Sequence, residues 1–305
     1  MTTPTLRPLS TGELLDRTFS LYRGHFALFV GIIAVTHLLV LTVQLVAVVL
    51  GPGPSTTFNL SSVFWPLLTL PVVLSVTAAA QGATVIAVSN VYLGRPITVT
   101  GALAHIQRRI LGLAWIMIGM GLAIGAILGV GVVPVGVAVA VRSIGVGLLA
   151  AIWLMAAIVF AIVVMLRWTL VIPVAVLENR GLASSVSRSS VLTRGDLLRV
   201  FIVYVLLLVL VFVVTIVTNV PVGVIMFLST VRGGDINAVY GWTQVMSAVA
   251  SYLTQCLVGP LMTIAFALLY YDERVRKEAF DLELMMTAID GQRSDIPSTS
   301  PVPGT

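Results

Sequence analysis

Six apolar runs, each long enough to cross a bilayer, dominate this 305-residue chain and restrict what it can fold into. A hydrocarbon core of roughly 30 Å needs about 20 helical residues. The runs lie near 26–50, 64–92, 110–138, 144–177, 199–229 and 242–271. Lipid offers no partner to an open backbone amide or carbonyl, so stretches rich in Val and Ile form helices here despite their strand preference. Composition agrees: 58% of residues are hydrophobic and only 10% are charged, where a soluble chain carries about a quarter. The expected fold class is an all-α polytopic membrane protein with six transmembrane helices in three hairpins.

Charge sorts sharply between the connecting segments. Segments 1–25, 93–109, 178–199 and 272–305 hold nearly all the arginines, whereas the alternate loops hold only Arg142 and Arg232. The positive-inside rule then places both termini in the cytoplasm of a plasma membrane. No apolar core or small-residue cleavage site precedes the first span, so that span is expected to be an uncleaved signal anchor. The formal charge of +5 belongs with topology and anionic lipid rather than nucleic acid, because no basic run or reader motif accompanies it.

Each arginine-bearing segment also looks helical. Ser10 and Glu13 have capping-box spacing, and Leu14, Leu15, Thr18, Phe19 and Tyr22 repeat on one face opposite charged residues, as in a helix lying in the membrane interface. Arg7-Pro8-Leu9, Arg95-Pro96-Ile97 and Arg180-Gly181-Leu182 each open such a segment, and two spans follow each. This layout predicts three units, 7–92, 95–177 and 180–271, each an interfacial helix followed by a membrane hairpin. Residues 1–25 form the cytoplasmic amphipathic start and 26–271 the membrane domain. Val275, Ala279, Leu282, Met286 and Ile289 predict a C-terminal amphipathic helix over 272–290, and 291–305 reads as a disordered tail.

The charged stretch 167–199 carries the candidate functional residues: Arg167, Pro173, Glu178, Arg180, Arg188, Ser189 and Arg194. Glu178 is the only carboxylate between Asp16 and Asp196. In one continuous helix Arg167 and Glu178 share a face, three turns or roughly 16 Å apart, and cannot touch. An ionisable group at membrane depth is a functional-site candidate. The alternative is structural: Arg167 extends to the interface, and Glu178 pairs with Arg180, Arg188 or Arg95 to fix the units together. Pro173 removes a helical hydrogen bond and is expected to kink the fourth span, leaving a carbonyl free near its cytoplasmic end.

Signals for catalysis are weak. There is no hydrolase elbow, no paired carboxylate motif and no phosphate-cradling glycine loop with a lysine. His25, His37 and His105 are too scattered for a metal site, and Cys256 is alone. The glycines from Gly119 to Gly136 suggest close helix packing, and His37, Gln44, Gln81, Asn90, Asn219, Gln244 and Gln255 suggest polar contacts between spans. No cofactor is expected.

Three blocks, RPLSTGELLDRTFSLYRGHFALFVGI, RWTLVIPVAVLENRGLASSVSRSSVLTRGDLLRVF and LLYYDERVRKEAFDLELM, together resemble bacterial proteins grouped as the glycerophosphoryl diester phosphodiesterase membrane domain. The match is closest at Arg167, Pro173, Glu178, Arg188, Ser189, Leu192, Thr193 and Arg194. It departs at Asn179 to Leu182, where a glycine is expected directly after the glutamate. In enzymes of that name the membrane domain accompanies a separate catalytic barrel, so the resemblance implies a stand-alone membrane module without catalytic residues. The functional expectation is a non-enzymatic accessory or scaffold protein whose cytoplasmic face contacts anionic phospholipid or a protein partner. The alternative is a transporter or flippase for a lipid or small amphipathic solute.

Overall fold

A computed structural model describes residues 9–50, 60–232 and 236–278, with the backbone alone described over 60–67 and 236–238. Ser10 caps α1 (Thr11–Gly24): its hydroxyl accepts from the Glu13 amide at 3.3 Å while Glu13 Oε2 accepts from the Ser10 amide at 2.8 Å. Then come α2 (Phe26–Leu50), α3 (Leu60–Tyr92) and α4 (Val99–Ile106), with a short 3₁₀ turn, Gln107–Arg109, leading into α5 (Ile110–Val141). The remaining helices are α6 (Ile144–Arg167), α7 (Val171–Leu177), α8 (Leu182–Leu192), α9 (Leu197–Val231) and α10 (Ile236–Glu278). No strand occurs among the described residues. Six segments, Phe26–Leu50, Leu68–Tyr92, Val99–Val141, Ile144–Leu177, Leu197–Val231 and Val239–Glu278, are long and apolar enough to span a bilayer. The chain is a multi-pass integral membrane protein.

Two boundaries differ from the sequence expectation. The fourth span is interrupted between α6 and α7. The amphipathic helix expected over 272–290 has no separate start, since 272–278 continue α10 without a break. Its remainder, the tail 291–305, residues 1–8 and the loop 51–59 lie outside the described residues.

Helices α3 and α10 form the interior, and α5, α6 and α9 turn large apolar side chains such as Leu111, Ile152 and Phe212 outward, as lipid-facing helices do. Small residues let α3 sit centrally. Ala78, Ala83 and Ala87 are fully buried, and a Cβ on Gly82 would lie 2.7 Å from Ile106 Cγ1. At the ends of α3 and α10, Tyr92 and Tyr271 stack at 5.5 Å, and the Tyr271 hydroxyl meets Ser89 Oγ at 2.8 Å. The ends of α3 and of the membrane-spanning part of α10 are therefore neighbours in space.

The glycine run in α5 divides into two classes. A Cβ at Gly119 would lie 2.6 Å from Leu182 Cδ2, and one at Gly131 would lie 2.6 Å from Ala157 Cβ. Gly121, Gly125, Gly129 and Gly136 meet nothing within 4 Å, so close packing explains only part of the run. Gly131→Ala is expected to force α5 and α6 apart and to lower the thermal midpoint in detergent by several degrees, because a methyl on Ala157 cannot swing aside. Gly125→Ala is the matched control and leaves the midpoint unchanged.

Polar side chains inside the spans behave differently from expectation too. Asn90 and Asn219 donate to carbonyls of their own helices, Ile86 and Thr215, at 2.9 Å each. Contacts between helices come from tyrosine and threonine: Tyr22 to the Leu257 carbonyl, Tyr252 to the Ala34 carbonyl, and Thr218 with Thr254.

Candidate site at the arginine-rich end

The interruption in the fourth span is set by Pro173 and sealed by α8. In a continuous helix the proline ring would strike the carbonyl of Thr169 and offer it no hydrogen bond. The chain instead turns at Trp168–Leu170, which puts Pro173 in the first turn of α7, where a missing amide costs nothing. The expected kink is therefore a break, displaced toward the preceding turn. Val171 donates to the Trp168 carbonyl, so the Arg167 carbonyl loses its helical partner. Buried Ser189 supplies a replacement. Its hydroxyl donates to Arg167 O at 2.7 Å and accepts from the Leu170 amide at 3.2 Å. The Arg167 side chain is exposed, and because the helix is broken it no longer shares a common face with Glu178.

Glu178 caps the C-terminal end of α7 and joins three helices. Its Oε1 accepts from Arg188 Nε of α8 at 3.2 Å and from the hydroxyl of Tyr270 of α10 at 3.0 Å. Its Oε2 lies 2.7 Å from Arg180 Nε. Arg188 reaches onward to Glu278 at 2.5 Å, and Arg274 holds the other oxygen of Glu278 at 3.1 Å. Of the three partners expected from sequence, Arg180 and Arg188 pair with Glu178, whereas Arg95 is exposed and does not. Burial alone would raise the Glu178 pKa. The Tyr270 hydroxyl, Arg188 and Arg180 outweigh that and hold it below the ordinary carboxylate value. Burial likewise disfavours the charged form of Arg188, but Glu278 and Glu178 reverse the direction and raise its pKa.

Asn179 follows with φ 56°, the left-handed region. Glycine is the residue expected here from the resemblance, and asparagine is a side chain that tolerates the left-handed region. Asn179 therefore makes the same turn.

A second ionic cluster lies where α9 and α10 meet the N-terminal segment. Asp272 is buried; its Oδ2 meets Arg199 Nη1 at 2.5 Å and Arg276 Nε at 2.8 Å, while its Oδ1 accepts from the Leu9 amide at 2.6 Å. Arg199 also reaches Glu273 at 3.2 Å and the Leu9 carbonyl at 2.9 Å. Lys277 binds Glu273 and Asp196 at 3.2 Å each, and donates to the carbonyls of Leu192 and Arg194. Arg194 thus contributes its backbone, and its side chain is exposed.

Between α3, the end of α4 and α7 opens a pocket of about 440 Å³, lined by Ser89, Asn90, His105, Arg108, Arg109 and Asn179 together with apolar residues. Arg109 is steadied by donating to the Val176 carbonyl at 3.3 Å, and Arg108 is exposed. No carboxylate lines the pocket. Two guanidinium groups, an imidazole and two side-chain amides suit an anion such as a phosphate ester.

Residues 146–295 match the family model described as the membrane domain of glycerophosphoryl diester phosphodiesterase. That segment, just under half of the chain, is similar to the family. No curated protein and no solved structure matches the chain. The matched segment contains the helix break, Glu178 with its arginines, and the Asp272 cluster. The pocket straddles its boundary: Val176, Leu177 and Asn179 come from the matched segment, and the basic residues come from the chain before it, around Arg108.

Sequence reasoning thus found the Glu178 cluster and Ser189, and missed both the Asp272 cluster and the pocket. The signal for the pocket was available in the Arg108-Arg109 doublet directly before a span. The Asp272 cluster left a partial one, the i,i+4 pairs Asp272–Arg276 and Glu273–Lys277, but Asp272 and Leu9 meet across 263 residues of sequence.

Proposed function

We propose that this chain is a non-enzymatic, multi-pass protein of a bacterial plasma membrane, with both termini cytoplasmic, whose arginine-rich face holds the headgroup of an anionic phospholipid. The observation that carries the reading is the pocket in which Arg108, Arg109 and His105 converge with no carboxylate. In this reading α1, α4 and α8 lie in the interface, each ahead of a pair of spans, and the ion pairs of Glu178 and Asp272 lock the three units together. The engagement of Glu178 by Tyr270, Arg188 and Arg180 supports a structural rather than a chemical role for this carboxylate.

The test uses the full chain in nanodiscs of mixed phosphatidylglycerol and phosphatidylcholine, with retained lipid counted by native mass spectrometry. Wild type is expected to retain phosphatidylglycerol preferentially. Each arginine near a membrane surface contributes about 1 kcal/mol toward an anionic lipid, so Arg108→Gln/Arg109→Gln, together about 2 kcal/mol, should lower the preference roughly thirtyfold. Arg108→Gln alone serves as a check that avoids disturbing the Arg109 contact with Val176. Equal retention of both lipids by wild type overturns the reading and leaves a protein partner as the occupant of this face.

A second reading, a transporter or flippase for a lipid or small amphipathic solute, is favoured by the interruption at Trp168–Leu170, which borders a membrane-embedded cavity. Flux above protein-free controls in proteoliposomes would promote it.

A further inference from the structure

The centre of the bundle holds a cavity of about 590 Å³, walled by α2, α3, α5, the α6–α7 break, α9 and α10. This is within the usual range for small-molecule sites, roughly 300–1,000 Å³. No Asp, Glu, Lys or Arg lines it. Met117, Met120, Met165 and Met262 make much of the wall adaptable. Half-buried Gln81 and exposed Gln255 supply its amide groups at the open side of the cavity, and neither side chain has a hydrogen-bond partner among the described residues.

Depth makes those amides informative. Gln81 lies eleven residues before Tyr92, from 92 minus 81, and Gln255 lies sixteen residues before Tyr271, from 271 minus 255, with Tyr92 and Tyr271 stacked at the arginine-rich end. At 1.5 Å per residue they are about 16 Å and about 24 Å along their helices from that end, both inside a roughly 30 Å core. An amide without a partner at that depth is costly, so a molecule that brings a hydroxyl or amide of its own gains hydrogen bonds that lipid tails cannot supply. A charged molecule would find no counter-charge in the wall.

We propose that this cavity binds an uncharged amphipath, a hydrocarbon chain ending in a hydroxyl-bearing head, with the head on Gln81 and Gln255. The cavity shares no lining residue with the phosphate-suited pocket, so either site can fail without the other, and binding here holds whether or not the chain transports anything.

The experiment is equilibrium binding of radiolabelled monooleoylglycerol to the full chain in nanodiscs, with oleate as the charged-head competitor. Wild type is expected to bind monooleoylglycerol saturably, and oleate is expected to compete at least tenfold more weakly. Gln81→Leu/Gln255→Leu keeps a similar side-chain volume, removes the unpartnered amides and should retain the wild-type melting temperature while binding at least tenfold more weakly. Should that variant fail to fold, the preference of wild type for monooleoylglycerol over oleate decides alone. Absence of saturable binding, equal competition by oleate, or a folded double variant with wild-type affinity overturns the proposal.

Discussion

Asp272→Ala is expected to lower the stability of the purified protein by about 4 kcal/mol. Asp272 is 4% exposed and receives Arg199, Arg276 and the Leu9 amide. Removing one member of a buried ionic group costs about 3–5 kcal/mol, because the partner remains buried with its charge uncompensated. Glu273 still faces Arg199, which keeps the loss within that range. The N-terminal segment loses its anchor as well, since the carboxylate that accepts from Leu9 is gone. Arg276→Gln provides the contrast: Arg276 is 32% exposed at its side chain, and solvent-screened pairs contribute about 0–1 kcal/mol. Denaturant unfolding in detergent, followed by tryptophan fluorescence, reads both variants. Equal losses for the two would mean that burial at Asp272 does not matter.

Glu178→Ala should cost about 3 kcal/mol. The side chain is 14% exposed, and its removal leaves the Tyr270 hydroxyl and Arg188 without their shared acceptor. Arg188 keeps Glu278, and Arg180 is too exposed for its pair to add much. Tyr270→Phe isolates the hydroxyl, which is fully buried, and should cost about 1 kcal/mol. The pH dependence follows from the depressed pKa of Glu178. A carboxylate whose folded pKa lies below its unfolded value stabilises the fold fully above the unfolded value, and the stabilisation disappears as pH falls through the folded value. Wild type should therefore lose stability relative to Glu178→Gln only on acidification below the ordinary carboxylate range. A difference between the two that stays constant down to pH 3 would show that the charge of Glu178 is not what links α7, α8 and α10.

The six spans were legible because length and hydropathy act locally: a run either can cross the bilayer or cannot. The capping box of α1 was legible for the same reason, since Ser10 and Glu13 are three residues apart. Glu178 could be paired with Arg180 and Arg188 from sequence because it lies in the same charged stretch, two and ten residues from them. The break at Trp168–Leu170 was harder to place. Pro173 acts on the carbonyl four residues before it, and the hydroxyl that makes the break affordable, Ser189, arrives from 22 residues beyond Arg167. Glycines misled the reading, because sequence shows their spacing and not which of them faces a neighbour. Gly131 does and Gly125 does not. The Asp272 cluster, the phosphate-suited pocket and the central cavity all depend on which distant helices touch, and helix periodicity carries no information about that.

A density map of the protein in phosphatidylglycerol nanodiscs tests the central claim most directly. The account predicts a phosphate-sized feature in the pocket among Arg108, Arg109, His105 and Asn179, with acyl density running from it along α3, and predicts that the feature is lost in Arg108→Gln/Arg109→Gln. A pocket empty of headgroup density in wild type, with ordered lipid confined to the outer faces of α5, α6 and α9, would contradict it.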